Sequence, residues 1–547
     1  NNILDGITVA GGYTFNANAS NTEADKGIIS GFKTAFEVLT GGILNINNVK
    51  FENNTDDVKN EGTVNLAENV VLNAISGVDG ILNILDSADV TAGSIKQKLL
   101  VNNGTLTISA DNLQTAEAVE NKHKLNLTGG NLGVDINGLG TTNFSNNNTL
   151  NDNVVVSQAK IINSGTLDAT KGMLISDDIV STGTLKLKGD ITASQVISGG
   201  KNDDGGLLKF GTLELSDSTI SGDVVQDKII LSGTVTNNKN MIFNNLKNNG
   251  IFSTLANSIS GDLTNDINAE LNLNGGTLNA NVSGGKTNIN GDVVLASSSK
   301  IAASAVNVAE NKSLTIAAAD SSWNNAISGK GTTIFGADFY GNNNAVIETL
   351  LTNNGVLTSN TANIKGNVSN NNKLTLNSTN DVFDNTITGS GDLTLNGFIT
   401  ANKTISQKSI TNNGSLTANA DIIGAVQNNG TLNSSAENIK TSVTNKTDAE
   451  LNLNGGTLNA NVSGGKTNIN GDVVLASSSK IDASAVNVAE NKSLTILTIA
   501  EGNSWNNAIS GKGTTIFGAD FDGNNNAVIE TLLTNNGVLT SNTANIK

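Results

Sequence analysis

Three residue types are missing from this sequence. Its 547 residues include no Cys and no Pro, and all 32 basic residues are Lys, so Arg is absent as well. Without Cys, the chain can form neither disulfides nor Cys-ligated zinc sites. Without Arg, and with a formal net charge of −17, it lacks both a strongly basic surface for nucleic acid and the best bidentate ligand for phosphate. We therefore predict no nucleic-acid partner, no cofactor and no metal site.

Aromatic residues and long apolar runs are also scarce. Aromatic side chains make up only 3% of the sequence, so any core must consist mainly of Leu, Ile, Val and Ala. Such a core suits coils that bury one or two side chains per strand. No apolar run approaches the roughly 20 residues that span a bilayer, and the acidic surplus is spread along the chain, which favours repulsion between chains.

One long block of sequence occurs twice. Residues 269–365 recur as 449–547, and the second copy carries two additional residues within 497–504. Two extra residues inside a strand would break its ladder, so we expect this insertion in a turn. Outside the insertion the copies differ at two places, one of them Tyr340, which is Asp522 in the second copy. Because the first copy continues beyond Lys365, we expect the chain to be a fragment of a longer one.

Two shorter elements repeat along the chain. Neighbouring copies are separated by roughly 16 to 24 residues or multiples of that, and such periods indicate stacked units rather than separate domains. The first element, Asn-Asn-Gly followed by a small and then an apolar residue, begins at Asn102, Asn248, Asn353, Asn412, Asn428 and Asn535. The second element, Ile-Ser/Thr-Gly, begins at Ile75, Ile197, Ile220, Ile259, Ile327, Ile387 and Ile509.

Apolar and polar residues alternate within each unit, as in Leu185 and Leu187 with Lys186 and Lys188, and this period of two is typical of strands. We predict an all-β fold, a right-handed parallel β-helix (β-solenoid) of about 20–24 residues per coil. Residues 1–60 would form N-terminal coils, with a short helix or packed loop at 26–39, and 61–547 a continuous solenoid. The rival, a stack of antiparallel β-sandwiches, usually carries more aromatic core residues.

The repeated Asn and Gly residues suggest how the coils are held together. Asn tolerates a left-handed backbone, and its amide can bond the Asn one coil above. We expect the Gly of Asn-Asn-Gly to supply a second left-handed position. The lack of Pro fits as well, because every interior coil needs its N–H groups for the ladder.

Few residues suit catalysis or ion binding. His123, the only histidine, lies between two lysines and is typical of a solvated loop residue. Glycoside hydrolysis needs two carboxylates facing each other, whereas neighbours on a strand point to opposite faces. We interpret the adjacent acidic pairs as turns or solvated edges, and they are Asp56–Asp57, Asp177–Asp178 and Asp203–Asp204. The stretch 202–206 is similar to a calcium-binding Gly-Asp repeat but is single, so we predict a loop. No catalytic residue is predicted.

Three aromatic residues are weak candidates for ligand contacts: Trp323, Tyr340 and Trp505. Aromatic rings can form platforms for sugars and protein partners. However, Phe383 occupies the place of the two tryptophans in the same motif, followed by the same Ile-x-Gly. This interchange favours packing against the coil over a ligand platform. Tyr340 differs between the two copies, so we expect it to be exposed.

Several segments resemble a known class of bacterial surface protein. Phe383–Leu395, Trp323–Gly331 and the twin of the latter at Trp505 look like the autotransporter-associated β-strand repeat. Gly41–Leu44 with Phe51–Asn54 is similar to the paired short motifs of chlamydial polymorphic membrane proteins. The resemblance implies a passenger domain of type V secretion, which is exported unfolded through an outer-membrane β-barrel, folds outside and often serves as an adhesin. That translocator is absent from this sequence.

We therefore expect an extracellular adhesin or stalk on a bacterial surface, with no enzyme activity. Its partner would be a protein or glycan on a host or neighbouring cell, and lateral or end-to-end self-association is compatible with the repeats. Membrane attachment would come only through the missing translocator. One alternative is a structural subunit of a surface layer or fibre. A second is a carbohydrate-active β-helix enzyme, which would require a carboxylate cluster in a groove.

Overall fold

The alternating segments fold as short strands stacked in parallel. The structure is a computed structural model, and it describes residues 6–19, 26–317, 323, 325–336, 339–343, 346–497, 505, 507–518, 521–523, 528–536, 539–541 and 546–547. The chain divides into two compact units, one of residues 1–272 with 280–285 and one of 273–279 with 286–547. Parallel sheets form a β-solenoid of about 26 turns, which confirms the predicted fold class.

The strands are mostly three to five residues long. Up to residue 273 they are Ile7–Val9, Thr14–Asn18, Gly27–Ser30, Thr34–Val38, Ile43–Asn47, Val49–Glu52, Asp56–Asn60, Thr63–Ala67, Asn69–Ser76, Ile81–Ile84, Asp89–Gln97, Leu99–Asn102, Thr105–Ile108, Leu113–Thr115, Val119–Asn121, Lys124–Leu127, Gly130–Leu132, Ile136–Asn137, Thr141–Phe144, Asn147–Leu150, Val155–Ser157, Lys160–Asn163, Thr166–Ala169, Met173–Ile175, Asp178–Ser181, Thr184–Lys188, Val196–Ser198, Thr212–Ile220, Asp223–Val225, Lys228–Asn237, Met241–Asn248, Ile251–Thr254, Ile259–Asn265 and Glu270–Leu273.

The remaining strands follow the same pattern. They are Gly276–Ser283, Lys286–Ile289, Val293–Leu295, Ile301–Ala302, Ala305–Val308, Ser313–Ile316, Ile327–Gly329, Thr332–Phe335, Phe339–Asn343, Leu350–Asn353, Val356–Asn360, Val368–Asn370, Lys373–Phe383, Ile387–Thr388, Asp392–Ala401, Ile405–Asn412, Ser415–Ala418, Ile422–Asn428, Thr431–Ser434, Val443–Asn445, Glu450–Leu453, Gly456–Leu458, Val462–Ser463, Lys466–Ile469, Val473–Leu475, Ile481–Asp482, Ala485–Val488, Ser493–Ile496, Ile509–Gly511, Thr514–Phe517, Phe521–Gly523, Leu532–Asn535 and Leu539–Ser541. The insertion expected in a turn within 497–504 lies, apart from Leu497, outside the described residues.

Four short 3-10 helices among the described residues explain a spacing in the Asn-Asn-Gly repeat. Each begins eight residues after the first Asn of a repeat, and together they are Ala110–Asn112, Ala256–Ser258, Thr361–Asn363 and Ala436–Asn438. The apolar residue that ends the seven-residue spacing, such as Ile439 after Leu432, directly follows this turn and is buried. No described helix is long and apolar enough to cross a membrane.

A typical coil contributes one short strand to each of three faces. One example runs through Leu99–Asn102, Thr105–Ile108 and Leu113–Thr115, and all three strands pair in parallel with the coil before. Partner residues lie 16 positions apart at Leu416 and Leu432 and 22 apart at Thr34 and Asp56. Many coils are therefore shorter than predicted, because short turns suffice at many corners.

Burial follows the alternation that the sequence predicts. Leu185 and Leu187 are buried, whereas Lys186 is half-buried and Lys188 exposed. Each fully buried Leu or Ile side chain stabilises the fold by roughly 1.5–3 kcal/mol. Many inward positions stack on an apolar residue of the next coil, as Leu185 does on Leu213, so aliphatic side chains contact one another from coil to coil.

The expectation of a short helix or packed loop at 26–39 is wrong, because this segment forms the strands Gly27–Ser30 and Thr34–Val38. The apolar spacing that suggested a helix is divided by Gly31, whose φ of 83° permits a sharp turn between the two strands. Both strands join ladders, with Gly27 opposite Val49 and Thr34 opposite Asp56. Ladder pairing with the next coil thus outweighs the local helical pattern.

The Asn-Asn-Gly repeat stacks as predicted, but through a different backbone conformation. Asn102, Asn248, Asn353, Asn412 and Asn428 are buried, and the side-chain amide of each donates to the Asn one coil above. None of the five has a positive φ, and neither do the glycines that follow them. The expectation of left-handed residues here is therefore wrong.

Glycine is instead required in this repeat by close approach between coils. A Cβ at Gly414 would lie 2.0 Å from the carbonyl oxygen of Gly397, and one at Gly430 would lie 2.0 Å from that of Gly414. In the second element several glycines do have a positive φ, for example Gly77 with φ 132° and Gly389 with φ 123°. The two glycines of the repeats thus serve different purposes.

Candidate functional site

The titratable residues considered for catalysis are dispersed. His123 is exposed, and its Nδ1 lies 3.3 Å from the carbonyl oxygen of Gly104 one coil below. Asp178 forms an ion pair with Lys160 at 3.3 Å, and Asp177 is exposed. Among the described residues, no three His, Cys, Asp or Glu side chains form a group that could hold a metal ion.

Asp57 is a buried carboxylate that stabilises the N-terminal coils, so the interpretation of Asp56–Asp57 as a turn or solvated edge is wrong for this residue. It lies within the strand Asp56–Asn60 and is fully inaccessible to solvent. Its carboxylate accepts hydrogen bonds from the backbone N–H groups of Asn73 and Ala74 and from Nδ2 of Asn54. These donors replace the water that a solvated edge would provide.

Asn54 connects this carboxylate to a second coil. Its Nδ2 also donates to Ile29 O, and its Oδ1 accepts from the N–H of Phe32, both at 2.9 Å. The last Asn of Phe51–Asn54 therefore joins two coils, which is a structural rather than a chemical role.

The stretch 202–206 is a tight turn at the end of a protruding loop. Asn202 Oδ1 accepts from the N–H of Gly206 at 2.6 Å, and the N–H of Asn202 donates to Gly206 O at 2.9 Å. Asp203 and Asp204 are exposed. The side chain of Asn202 is thus used to close the turn, and this geometry agrees with the predicted loop.

The two tryptophans are buried in equivalent positions. Trp323 is 5% exposed and Trp505 6%, and each indole Nε1 donates at 2.9 Å to a backbone carbonyl two residues ahead, Asn325 O and Asn507 O respectively. Phe383, at the same place in the motif, is also buried. This placement favours packing over a ligand platform. Tyr340 lies in the strand Phe339–Asn343, whose side chains are outside the part of the structure that is described.

The strands from Val356 to Asn428 present two regular rows of polar side chains to solvent. The Thr column consists of Thr358, Thr375, Thr394 and Thr411, which are half-buried cross-strand partners in successive coils. The Asn column beside it consists of Asn377, Asn396, Asn413 and Asn429, which are linked by amide hydrogen bonds of 2.8–2.9 Å. The rungs of both columns repeat every ~4.8 Å, the spacing of neighbouring strands.

The first unit contains an interruption in one of its ladders. A sheet of nine strands begins at Thr14–Asn18 and ends at Met173–Ile175. The next coil is unusually long, since Thr184 pairs with the distant Thr212. On this face that coil, described in full, contributes no strand but only Ile191, which forms a parallel bridge to Ile220 on its far side. The ladder therefore opens between Met173–Ile175 and Ile191.

A cleft with a volume of about 420 Å³ occupies this opening. Its walls are largely apolar and include Leu174, Leu187, Ile191 and Ile197, which are themselves buried in the coils on either side. Volumes of roughly 300–1,000 Å³ are usual for ligand sites. We refer to this opening as the ladder cleft.

Gln195 bridges the ladder cleft with its side-chain amide. Its Nε2 donates to Leu174 O at 2.9 Å, and its Oε1 accepts from the N–H of Thr192 at 2.8 Å. The side chain is only 7% exposed. At the rim, Lys188 pairs with Asp217 at 3.6 Å, and Asp190 Oδ1 accepts from the N–H of Thr219 at 3.1 Å.

Neither the ladder cleft nor Gln195 follows from the motifs of the sequence. A signal was present, since the separation between the Leu185 pair and the Leu213 pair exceeds the usual spacing of the repeats. Long loops on a regular scaffold often carry function. Comparisons with protein-family models, with curated proteins and with solved structures gave no match.

Proposed function

We propose that this chain is an extracellular adhesin or stalk displayed on a bacterial surface, with a binding rather than a catalytic role. The observation that carries the proposal is that the Thr column and the Asn column run side by side. Hydroxyl and amide groups repeat there in fixed register over four coils. A row of weak, evenly spaced hydrogen-bonding sites suits multivalent contact with a repetitive partner.

The architecture also supports export before folding. Each coil pairs with the coil before it, so strands can add one after another once the first coils have formed. The absence of Cys means that no disulfide can trap the chain during passage through an envelope. These features agree with the passenger-domain resemblance of the Phe383 and Trp323 segments.

The partner we propose is a glycan or protein on a host or neighbouring cell. Thr and Asn side chains donate and accept hydrogen bonds without charge, as neutral sugar hydroxyls require. The net charge of −17 would oppose contact with strongly anionic surfaces. The structural alternative, a surface layer or fibre, would use the same columns for contact between copies.

Adhesion of coated beads tests the proposal. Beads carrying the purified chain are expected to bind epithelial monolayers more than albumin-coated beads do. Binding should fall at least about fivefold with the double variant Thr375→Glu/Thr394→Glu, because two charges interrupt the array. The matched control is Thr352→Glu/Ser369→Glu, which adds the same charge to half-buried positions on another face of neighbouring coils.

Two results would count against the adhesin. One is bead binding no greater than that of albumin, and the other is an equal loss in both double variants. Regular filaments or sheets of the purified chain in electron micrographs, abolished by Thr375→Glu/Thr394→Glu, would favour the surface layer or fibre instead.

A further inference from the structure

The ladder cleft has the features of a strand-addition site. We propose that it binds an extended peptide segment of another protein, which pairs with Met173–Ile175 and inserts an apolar side chain between the coils. This inference goes beyond the adhesin proposal and does not depend on it, because it rests on the open ladder and on Gln195 alone.

The backbone of Met173–Ile175 offers hydrogen-bonding groups to the cleft. The N–H of Met173 donates to Val154 O at 2.8 Å, and Ile175 O accepts from the N–H of Gln158 at 3.0 Å. Both residues therefore bond to the preceding coil. In a parallel ladder alternate residues bond to opposite neighbours, so the polar groups of Leu174 point towards the cleft, where the described residues provide no strand.

Gln195 occupies the place of a missing peptide group. A strand in the ladder cleft would donate an N–H to Leu174 O and offer a carbonyl to the other side. The side-chain amide of Gln195 does both, since its Nε2 donates to Leu174 O and its Oε1 accepts from the N–H of Thr192. An amide held in this way, almost fully buried, indicates that the cleft accommodates amide chemistry of the kind that a peptide backbone supplies.

The walls of the cleft determine which side chain would fit. Leu174, Leu187 and Ile191 line it with aliphatic groups, so an apolar side chain at the central position of the peptide gains by burial. The charged groups at the rim, Lys188 and Asp190, already have partners within the chain. The expected ligand is therefore an uncharged, extended segment with Ile, Leu or Val at its centre.

Gln195 must leave Leu174 O before a peptide can pair there, so it competes with the ligand. Edge strands invite pairing with other chains, and proteins commonly protect them. The bridge made by Gln195 protects this edge in the same sense. Removing the bridge by substitution of Gln195 should therefore strengthen peptide binding. If Gln195 had a purely structural role, its substitution would leave the peptide affinity unchanged, or no binding would be seen.

Fluorescence anisotropy with a defined peptide tests the inference. The probe is fluorescein-labelled Ile-Thr-Ile-Thr-Ile with an amidated C-terminus, added to the intact chain. We expect saturable binding that becomes about tenfold tighter in Gln195→Ala, since a lost competing hydrogen bond is worth about one order of magnitude in affinity. The control is Gln158→Ala, which removes a buried Gln beside the closed ladder between Val155–Ser157 and Met173–Ile175. It should not tighten binding.

Two further probes separate a peptide ligand from a small apolar one. The same peptide with N-methylated Ile residues cannot pair as a strand and should bind at least tenfold more weakly. Equal binding of the methylated peptide, or full displacement of the probe by 1-hexanol, would mean a plain apolar pocket and would overturn the proposal.

A last measurement does not depend on any variant folding correctly. The probe with benzoylphenylalanine at its central position should crosslink, on irradiation, to the wild-type chain within residues 172–197. Crosslinks confined to other coils, or none above the level given by the N-methylated peptide, would contradict the assignment.

Discussion

Asn412 and Asn428 lie at the same corner of successive coils, and Asn412 Nδ2 donates to Asn428 Oδ1 across 2.8 Å. Asn428 continues the stack, because its own Nδ2 donates to Asn445 Oδ1 at 2.8 Å and to Glu450 O at 3.0 Å. One buried amide therefore satisfies polar groups of both neighbouring coils. We predict that Asn428→Ala lowers the free energy of unfolding by about 1–3 kcal/mol, the usual cost of leaving buried polar partners unsatisfied.

Asn428→Asp should lower the free energy of unfolding more than Asn428→Ala does, since a carboxylate cannot donate to either acceptor and would be buried without a cation. Urea unfolding, combined with hydrogen exchange over 405–453, measures the effect. The control is Asn429→Ala, whose exposed amide donates to Asn413 Oδ1 at 2.8 Å and whose loss should cost less than about 0.5 kcal/mol. Equal losses for Asn428 and Asn429 would show that burial of the stack is unimportant.

Gly414 tests the close approach between coils. A Cβ there would meet the carbonyl oxygen of Gly397 at 2.0 Å, so Gly414→Ala must push two coils apart. We expect a loss of about 1–3 kcal/mol or more in the free energy of unfolding. The matched control is Gly336→Ala, where the nearest atom would lie at 3.6 Å, an ordinary contact. That variant should be nearly neutral in the same urea titration, and a loss equal to that of Gly414→Ala would contradict the steric explanation.

Substitutions of Trp505 test whether this side chain packs within the coil or binds a ligand. Trp505→Phe keeps one aromatic ring, as Phe383 does in the related segment, but loses part of the indole packing and the hydrogen bond to Asn507 O, so it should cost about 1–2 kcal/mol. Trp505→Ala should cost about 3–5 kcal/mol, as truncation of a buried aromatic residue does. Bead adhesion should be unchanged in Trp505→Phe. A large loss of bead adhesion in Trp505→Phe, with an unchanged free energy of unfolding, would instead indicate that Trp505 contacts a ligand.

The sequence predicts those features of the fold that depend on a repeating local pattern. Alternation such as Leu185-Lys186-Leu187 indicates which side chains point inward, and the recurring Asn of Asn-Asn-Gly indicates the buried amide stack. The role of Gly414 could not be predicted, because the carbonyl that excludes a Cβ belongs to another coil. The same limit applies to Gln195, whose partner Leu174 lies in the preceding coil across an opening that no motif marks.

Lys59 provides a pH-dependent test of one ion pair. Its Nζ lies 2.8 Å from Glu37 Oε1, and this hydrogen bond and charge interaction with Glu37 raise the pKa of Lys59 above its ordinary value. A raised pKa means that, while Glu37 is ionised, the pair contributes to stability below the unfolded pKa of Lys59 of about 10.4. The contribution is lost as the pH rises through the folded pKa.

NMR titration of the Lys59 side chain measures this shift directly. In Glu37→Gln the pKa of Lys59 should fall towards its ordinary value, and the stability at neutral pH should change little because the pair is exposed. Lys50→Gln, which removes a lysine that pairs with Glu52 instead, should leave the Lys59 titration in place. A Lys59 titration that is the same with and without Glu37 would contradict the assigned cause.

Asn54 and Asp57 allow the Phe51–Asn54 motif to be tested as a structural device. Asn54→Ala removes the donor to Ile29 O, the acceptor of the Phe32 N–H and one donor to the buried Asp57. Because these partners stay buried or half-buried, we expect the free energy of local unfolding of residues 27–60 to fall by about 2–3 kcal/mol. Hydrogen exchange detects this as faster exchange of the Phe32 amide, with coils beyond residue 100 unaffected. The control is Asn53→Gly, at an exposed neighbour whose φ of 55° suits Gly, and it should leave the exchange of the Phe32 amide unchanged. If Asn53→Gly accelerated that exchange as much as Asn54→Ala does, the turn backbone rather than the Asn54 side chain would join the two coils.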